Sequence, residues 1–308
     1  MERTSEKRSV TVAWGTLIFV VLLWGFSPLV TLYFYSYYSP TIRVALAALI
    51  SAASLAALCG KKLRLLNKSY FLVAVPTGIF YTAANLLQKI GLQYTTPAHY
   101  AVLENLACVV VPLLLLVLIK KKPTALTMFA AALCLGSTII ITGFFDPSGA
   151  VSVRGDLLCA LAGIFYGFNT AATGVFAKKF YVPLYLMIQM LTEMVISTVC
   201  AILFHVQGIE PIQFCWRWEI FLGHMAMVLC VSTFGWVLRT NAMKKVSPSV
   251  VAVIMPFSSV VTAVLSVLLG KDTFSWSLVI GVVLGVVAII LSGFGDRPKK
   301  AACEQSSG

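Results

Sequence analysis

The sequence predicts an all-α membrane protein of ten transmembrane helices arranged as two inverted five-helix repeats. Three observations lead there: the apolar composition, the number and length of the apolar runs, and short strings that recur half a chain apart. Of 308 residues, 59% are hydrophobic and 11% are charged, with a mean hydropathy of +0.93. An average soluble domain carries about 25% charged residues. The polar interruptions are too short to form a soluble head, so the apolar runs are the protein.

A bilayer core of about 30 Å needs roughly 20 helical residues, because unpaired backbone groups are too costly in hydrocarbon. By that ruler the spans lie at 13–33, 40–59, 69–92, 97–119, 124–144, 155–177, 182–205, 217–240, 248–269 and 274–294. The first run follows Arg3, Lys7 and Arg8 as a secretory signal would. It exceeds the roughly 7–15 residues of a signal core and continues into "YFYSYYSP", so it reads as a retained span.

Charge orients these helices. With the N-terminus cytoplasmic, the inner segments collect Arg3, Lys7, Arg8; Lys61, Lys62, Arg64, Lys68; Lys120, Lys121, Lys122; Lys178, Lys179; Arg239, Lys244, Lys245; and Arg297, Lys299, Lys300, which is 18 of the 23 basic residues. The outer segments hold Arg154, Arg217 and Lys271. That bias supports ten spans with both termini cytoplasmic. The net charge of +12 is then a topology signal and not a nucleic-acid footprint, which would need a basic face on a soluble domain.

The halves echo each other. "GFFD" at 143–146 recurs as "GFGD" at 293–296; "YTTPAHYAVLEN" at 94–105 aligns with "KVSPSVVAVIMP" at 245–256; "LLWGFS" at 22–27 sits over "GIFYGFN" at 163–169. Five spans per half is an odd number, so the second half enters from the opposite side. The expected units are 1–146 and 147–308. Inverted repeats place a site near the midplane where one half rocks against the other.

"LLWGFSPLV", "SPTIRVALAAL", "GLQYTTPAHYAVLEN", "KKVSPSVVAVIMPFSSVVTAVLSVLLGKD" and "GVVLGVVAIILSG" resemble the EamA-type members of the drug/metabolite transporter superfamily over nearly the whole chain. The resemblance implies a central cavity lined by spans 1–4 and 6–9, with spans 5 and 10 peripheral. The chain departs from the family pattern at Lys271-Asp272 and at Asn105, where the family often has Gly-Glu and proline.

Ionised groups inside a bilayer usually face protein or water. Helical spacing collects Tyr81, Asn85 and Gln88 on span 3, Tyr166, Asn169 and Thr173 on span 6, Gln189, Glu193 and Ser197 on span 7, and Ser232, Trp236 and Thr240 on span 8. The candidate cavity residues are Trp24, Arg43, Tyr81, Asn85, Gln88, Glu104, Tyr166, Asn169, Gln189 and Trp236, with Lys89 beside the span 3 stripe. Two readings stay open for the stripes: interhelical hydrogen bonding, or a wet cavity. Glu193 has no basic partner evident at its depth, and burial disfavours an unpaired charge, so it is the first candidate for proton coupling, with Glu104 second. Arg43 and Lys89 are placed to attract a carboxylate.

Tyr33, Tyr35, Tyr37, Tyr38, Trp216 and Trp218, at span ends, read as an interfacial belt. Pro76, Pro112 and Pro256 are candidate bends. Gly281-x-x-x-Gly285 on span 10, and Ala132 and Gly136 on span 5, are close-packing faces, for the monomer interior or for a homodimer. The eight cysteines have no metal-ligand spacing, and His99, His205 and His224 are scattered, so neither a metal nor a cofactor is expected. No phosphate-binding loop or catalytic triad pattern is present.

The sequence therefore predicts a secondary transporter of small organic metabolites, such as amino acids or related amphipathic compounds, working by alternating access. It acts as exporter or exchanger in a bacterial inner membrane. The competing readings are an embedded enzyme or lipid-binding scaffold using Glu104 and Glu193, and a passive channel.

Overall fold

The computed structural model describes residues 2–34, 36–91, 93–95, 97–120, 122–144, 152–270 and 274–295. Tyr35, Lys121, the boundary between 146 and 147, Asp146, Lys271-Asp272, Asp296, Arg297, Lys299, Lys300 and Cys303 lie outside the described residues.

Ten helical stretches among the described residues are long and apolar enough to cross a membrane. Span 1 is Glu2–Phe34, span 2 Pro40–Cys59, span 3 Lys68–Gly91, span 5 Ala125–Thr142, span 6 Val153–Phe176, span 7 Val182–Val206 and span 10 Trp276–Gly295. Spans 4, 8 and 9 are each made of two pieces: Pro97–Glu104 and Ala107–Ile119; Trp218–Met227 and Phe234–Ala242; Pro248–Ile254 and Phe257–Leu268. The ends follow local chemistry. Thr124 accepts from the Thr127 amide to cap span 5, and Gly143, at φ 62°, ends it in the left-handed conformation that glycine adopts without steric cost.

The packing has the symmetry of an inverted repeat. Span 2 lies along span 7 and span 5 along span 10. Span 4 packs on span 6 as span 9 packs on span 1, and span 3 on span 6 as span 8 on span 1. Exchanging the halves returns the same pairs. The correspondence extends to side chains: a Cβ on Gly25 would meet Val261 at 2.5 Å, and one on Gly167 would meet Val110 at 2.7 Å, the matching positions of the two repeats.

Of the candidate bends, Pro256 falls at a break in its helix. Span 3 runs unbroken through Pro76, and Pro112 sits inside the second piece of span 4. The break in span 4 comes at Asn105 and Leu106, matching the break in span 9 at Met255 and Pro256. Gly163 fits into the first break, where its missing side chain admits the carbonyl of Leu103.

Span 8 joins its pieces through a π-helical turn, Val228–Thr233, which the residue spacing did not signal. On span 10, Gly281 and Gly285 meet Ile141, Ser137 and Phe257, and Ser137 donates to the Gly281 carbonyl at 2.7 Å, so this face is used inside the monomer. Ala132 is exposed, and a Cβ on Gly136 would meet nothing within 4 Å, so neither belongs to that contact. Trp216 and Trp218 are exposed as a belt requires, whereas Tyr38 is fully buried against Phe214 and His224.

Candidate functional site

A cavity of about 320 Å³ lies between the two halves. Spans 1–4 and 6–9 all contribute to its wall. The lining residues cluster at mid-span and toward the ends farthest from Lys61, Lys62, Lys178 and Lys179: Arg43 begins span 2, Gln88 and Lys89 end span 3, and Thr262 is past the middle of span 9. Toward the basic face the space is filled. Leu55, Cys59, Tyr70, Val182, Leu184 and Tyr185 form one apolar cluster there, with Phe180 packed on it. Leu17, Met243, Val246, Val250 and Val251 form another. Polar contacts pin this end: Tyr70 Oη accepts from the Tyr181 amide at 3.1 Å, Lys244 Nζ donates to the Phe180 carbonyl at 3.1 Å, and Lys62 sits 4.2 Å over the Tyr181 ring.

Glu193 lines the cavity from the middle of span 7 and is only 3% exposed. Its Oε1 accepts from Asn85 Nδ2 at 2.7 Å. A neutral amide thus holds the carboxyl group, crossing from span 3 of one half to span 7 of the other. Glu104, half-buried, also lines the cavity, as do Lys89 and Arg43. Neither acid is turned to lipid.

The aromatic candidates form one continuous wall. Trp24 and Trp236 have ring centres 5.2 Å apart, Trp236 and Tyr81 4.9 Å, and Tyr81 and Tyr166 6.1 Å. Tyr166 Oη donates to Gln88 Oε1 at 3.1 Å. Trp24 Nε1 donates to the Val231 carbonyl at 3.0 Å, inside the π-helical turn of span 8. Such turns free backbone acceptors and recur at functional sites.

Two candidates lie elsewhere. Asn169 and Gln189 do not line the cavity. Asn169 Nδ2 donates to the Thr77 carbonyl at 3.0 Å, and Gln189 Nε2 donates to Thr77 Oγ1 at 2.8 Å and to Tyr185 Oη at 3.3 Å. They belong to a buried network tying spans 3, 6 and 7 together. Thr240 is likewise buried without lining the cavity.

Among the charged lining residues, one escaped the sequence reading. Arg239, which the charge pattern places with the inner basic segment, is 3% exposed and lines the cavity. It follows Trp236 by one helical turn on the stripe that starts at Ser232, so the spacing rule could have found it. Proximity to Lys244 and Lys245 hid it.

Two related bundles of five helices around a shared polar cavity near mid-span define a multi-pass membrane protein of the inverted-repeat transporter architecture. The model of the EamA-like transporter family matches residues 12–143 and again 153–294, so the chain belongs to that family of membrane transporters within the drug/metabolite transporter superfamily. No curated protein matches it. Among solved structures, one crystal structure is similar over 94% of this chain and 99% of that chain, with a TM-score of 0.74 at 18% identity, which is a likeness of fold.

Proposed function

We propose that this protein is a secondary active transporter of small amphipathic metabolites of the amino-acid type, working by alternating access with Glu193 as the proton-coupling group. The observation that carries the reading is Glu193 itself: a buried carboxyl, lining a cavity between the two repeats and held by the Asn85 amide. A carboxylate held in that way can exchange a proton for a ligand's ammonium group at the same oxygen.

Each half, 1–146 and 147–308, acts as a unit. The basic face is cytoplasmic by the charge bias, which puts both termini inside a bacterial inner membrane and opens the cavity to the exterior. Solute reaches it past Arg43 and Lys89, binds against Trp24, Tyr81, Tyr166 and Trp236, and displaces the proton of Glu193. Rocking of spans 3, 4, 8 and 9 then parts the cluster around Tyr70 and Tyr185 and closes the outer mouth. The mass exchanged is one solute against one proton, so an inward proton gradient drives export, and a second solute can drive exchange.

The experiment is uptake and counterflow in proteoliposomes. Wild-type protein should show saturable counterflow accelerated by a pH gradient, and in Glu193→Gln the counterflow, weakened by loss of the ammonium partner, should no longer respond to the gradient. Unchanged gradient dependence in Glu193→Gln overturns the coupling role. Flux that rises linearly with solute concentration and lacks counterflow makes the protein a channel.

A further inference from the structure

We infer that Arg239 is the anchor for a carboxylate on the transported solute, so that the cavity recognises a zwitterion between Arg239 and Glu193. The inference rests on the transport reading for its setting but on separate observations. The Arg239 guanidinium is buried within the membrane-spanning part of span 8 and lines the cavity. Nη2 donates to Thr170 Oγ1 at 2.7 Å. Nε and Nη1 have no hydrogen-bond partner among the described residues. One face of the group rests 4.7 Å from the Trp236 ring centre, a favourable cation–π contact that leaves the in-plane Nε and Nη1 donors buried and unpaired.

A buried guanidinium with unmet N–H groups is costly, since each unsatisfied donor forfeits its hydration. A planar fork of donors matches a carboxylate, with two charge-assisted hydrogen bonds available. The opposite pole of the site is Glu193. Tyr81 lines the cavity with both, and its ring bridges Trp236 and Tyr166. A site with one cation and one carboxyl group beside an aromatic wall suits a monocarboxylate bearing an ammonium group. A dianion such as a phosphate monoester would bring its second charge toward Glu193. Arg43 and Lys89 then attract the solute at the mouth, while Arg239 selects it at the floor.

A purely structural role, pinning span 8 to Thr170 of span 6, would not discriminate among ligands, and that difference is the test. Full-length protein in lipid nanodiscs is titrated calorimetrically with L-phenylalanine, with L-phenylalaninamide, which lacks the carboxylate, and with 3-phenylpropionate, which lacks the ammonium group. Wild-type protein should bind both carboxylates and prefer L-phenylalanine to its amide by about tenfold or more. Arg239→Gln should weaken both carboxylates about 10- to 100-fold while the amide changes by less than about twofold, which also reports that the variant is folded. Arg239→Lys, keeping the charge without the fork, should fall between. Equal losses for all three probes, unchanged carboxylate affinity in Arg239→Gln, or failure of the wild type to bind either carboxylate at millimolar concentration overturns the inference. Counterflow in proteoliposomes separates it from the transport reading: selective binding without counterflow leaves the anchor standing and removes transport, whereas counterflow of an amino acid unaltered in Arg239→Gln removes the anchor alone.

Discussion

At the scale of single residues, the pair Asn85 and Glu193 shows why an acid is tolerated inside an apolar bundle. The carboxyl group gives up water but gains a short amide donor from the opposite repeat. Hydrogen bonds between membrane helices average about 0.6 kcal/mol and reach about 1.7 kcal/mol. A thermal unfolding series of Asn85→Ala, Glu193→Gln and the double variant should give a coupling energy of about 1 kcal/mol. Strict additivity would mean the contact does not stabilise the fold. Most of the side chains read as cavity candidates do line it, because stripes at helical spacing share a face: Tyr81, Asn85 and Gln88 line one wall together. Asn169 and Gln189 were on the right helices but turn to Thr77 and Tyr185. A stripe names the face of its own helix; the neighbour it meets is set by packing.

At the scale of elements, the breaks in spans 4 and 9 occupy equivalent positions although the residues differ, Asn105 in one and Pro256 in the other. Proline suits a break because it offers no N–H to the preceding turn. Asn105 instead donates through its side chain to Thr138 Oγ1 at 3.3 Å. The first break is held open by Gly163, whose added Cβ would lie 2.3 Å from the Leu103 carbonyl and 2.8 Å from that of Glu104. Both obstacles are backbone and cannot rotate away. Gly163→Ala should therefore destabilise the protein by about 1–3 kcal/mol, while Gly136→Ala, which meets nothing within 4 Å, should change stability by less than about 0.5 kcal/mol. Comparable melting temperatures for the two variants would show that span 6 does not seat closely on the break. The π-helical turn in span 8 has no counterpart in span 3, which is α-helical throughout. Periodic patterning is blind to one residue gained in a turn, and the turn is satisfied here by Trp24 from span 1.

At the scale of the whole molecule, the cavity is polar toward one face and sealed toward the other, and the seal combines apolar clusters with a few polar pins. Alternating access requires the seal to part. In a cysteine-free background, Ser232→Cys at the cavity wall should react with a membrane-impermeant thiol reagent applied from the non-basic side. Val250→Cys, 1% exposed within the seal, should react from the basic side only while solute is being exchanged. Val250→Cys labelling as fast at rest as during exchange would contradict a closed inner end. Tyr70→Phe and Lys244→Ala each remove one pin and should shift the resting population, raising basic-side labelling at Val250→Cys about 2- to 10-fold.

The number of spans, their alternation and the inverted repeat were settled by the chain alone, because hydrocarbon demands helices of a fixed length and an odd number of them reverses the next unit. Composition also ensured that Glu104 and Glu193 would avoid lipid. Tertiary structure decided the rest: that Asn85 reaches Glu193 across the repeats, that Gln189 is absorbed into a structural network, and that Arg239 belongs to the cavity floor and not to the basic surface. Depth along a helix can be counted from its ends, but which charge sees which cavity depends on how far one helix slides and turns against another, and helical periodicity holds no record of that.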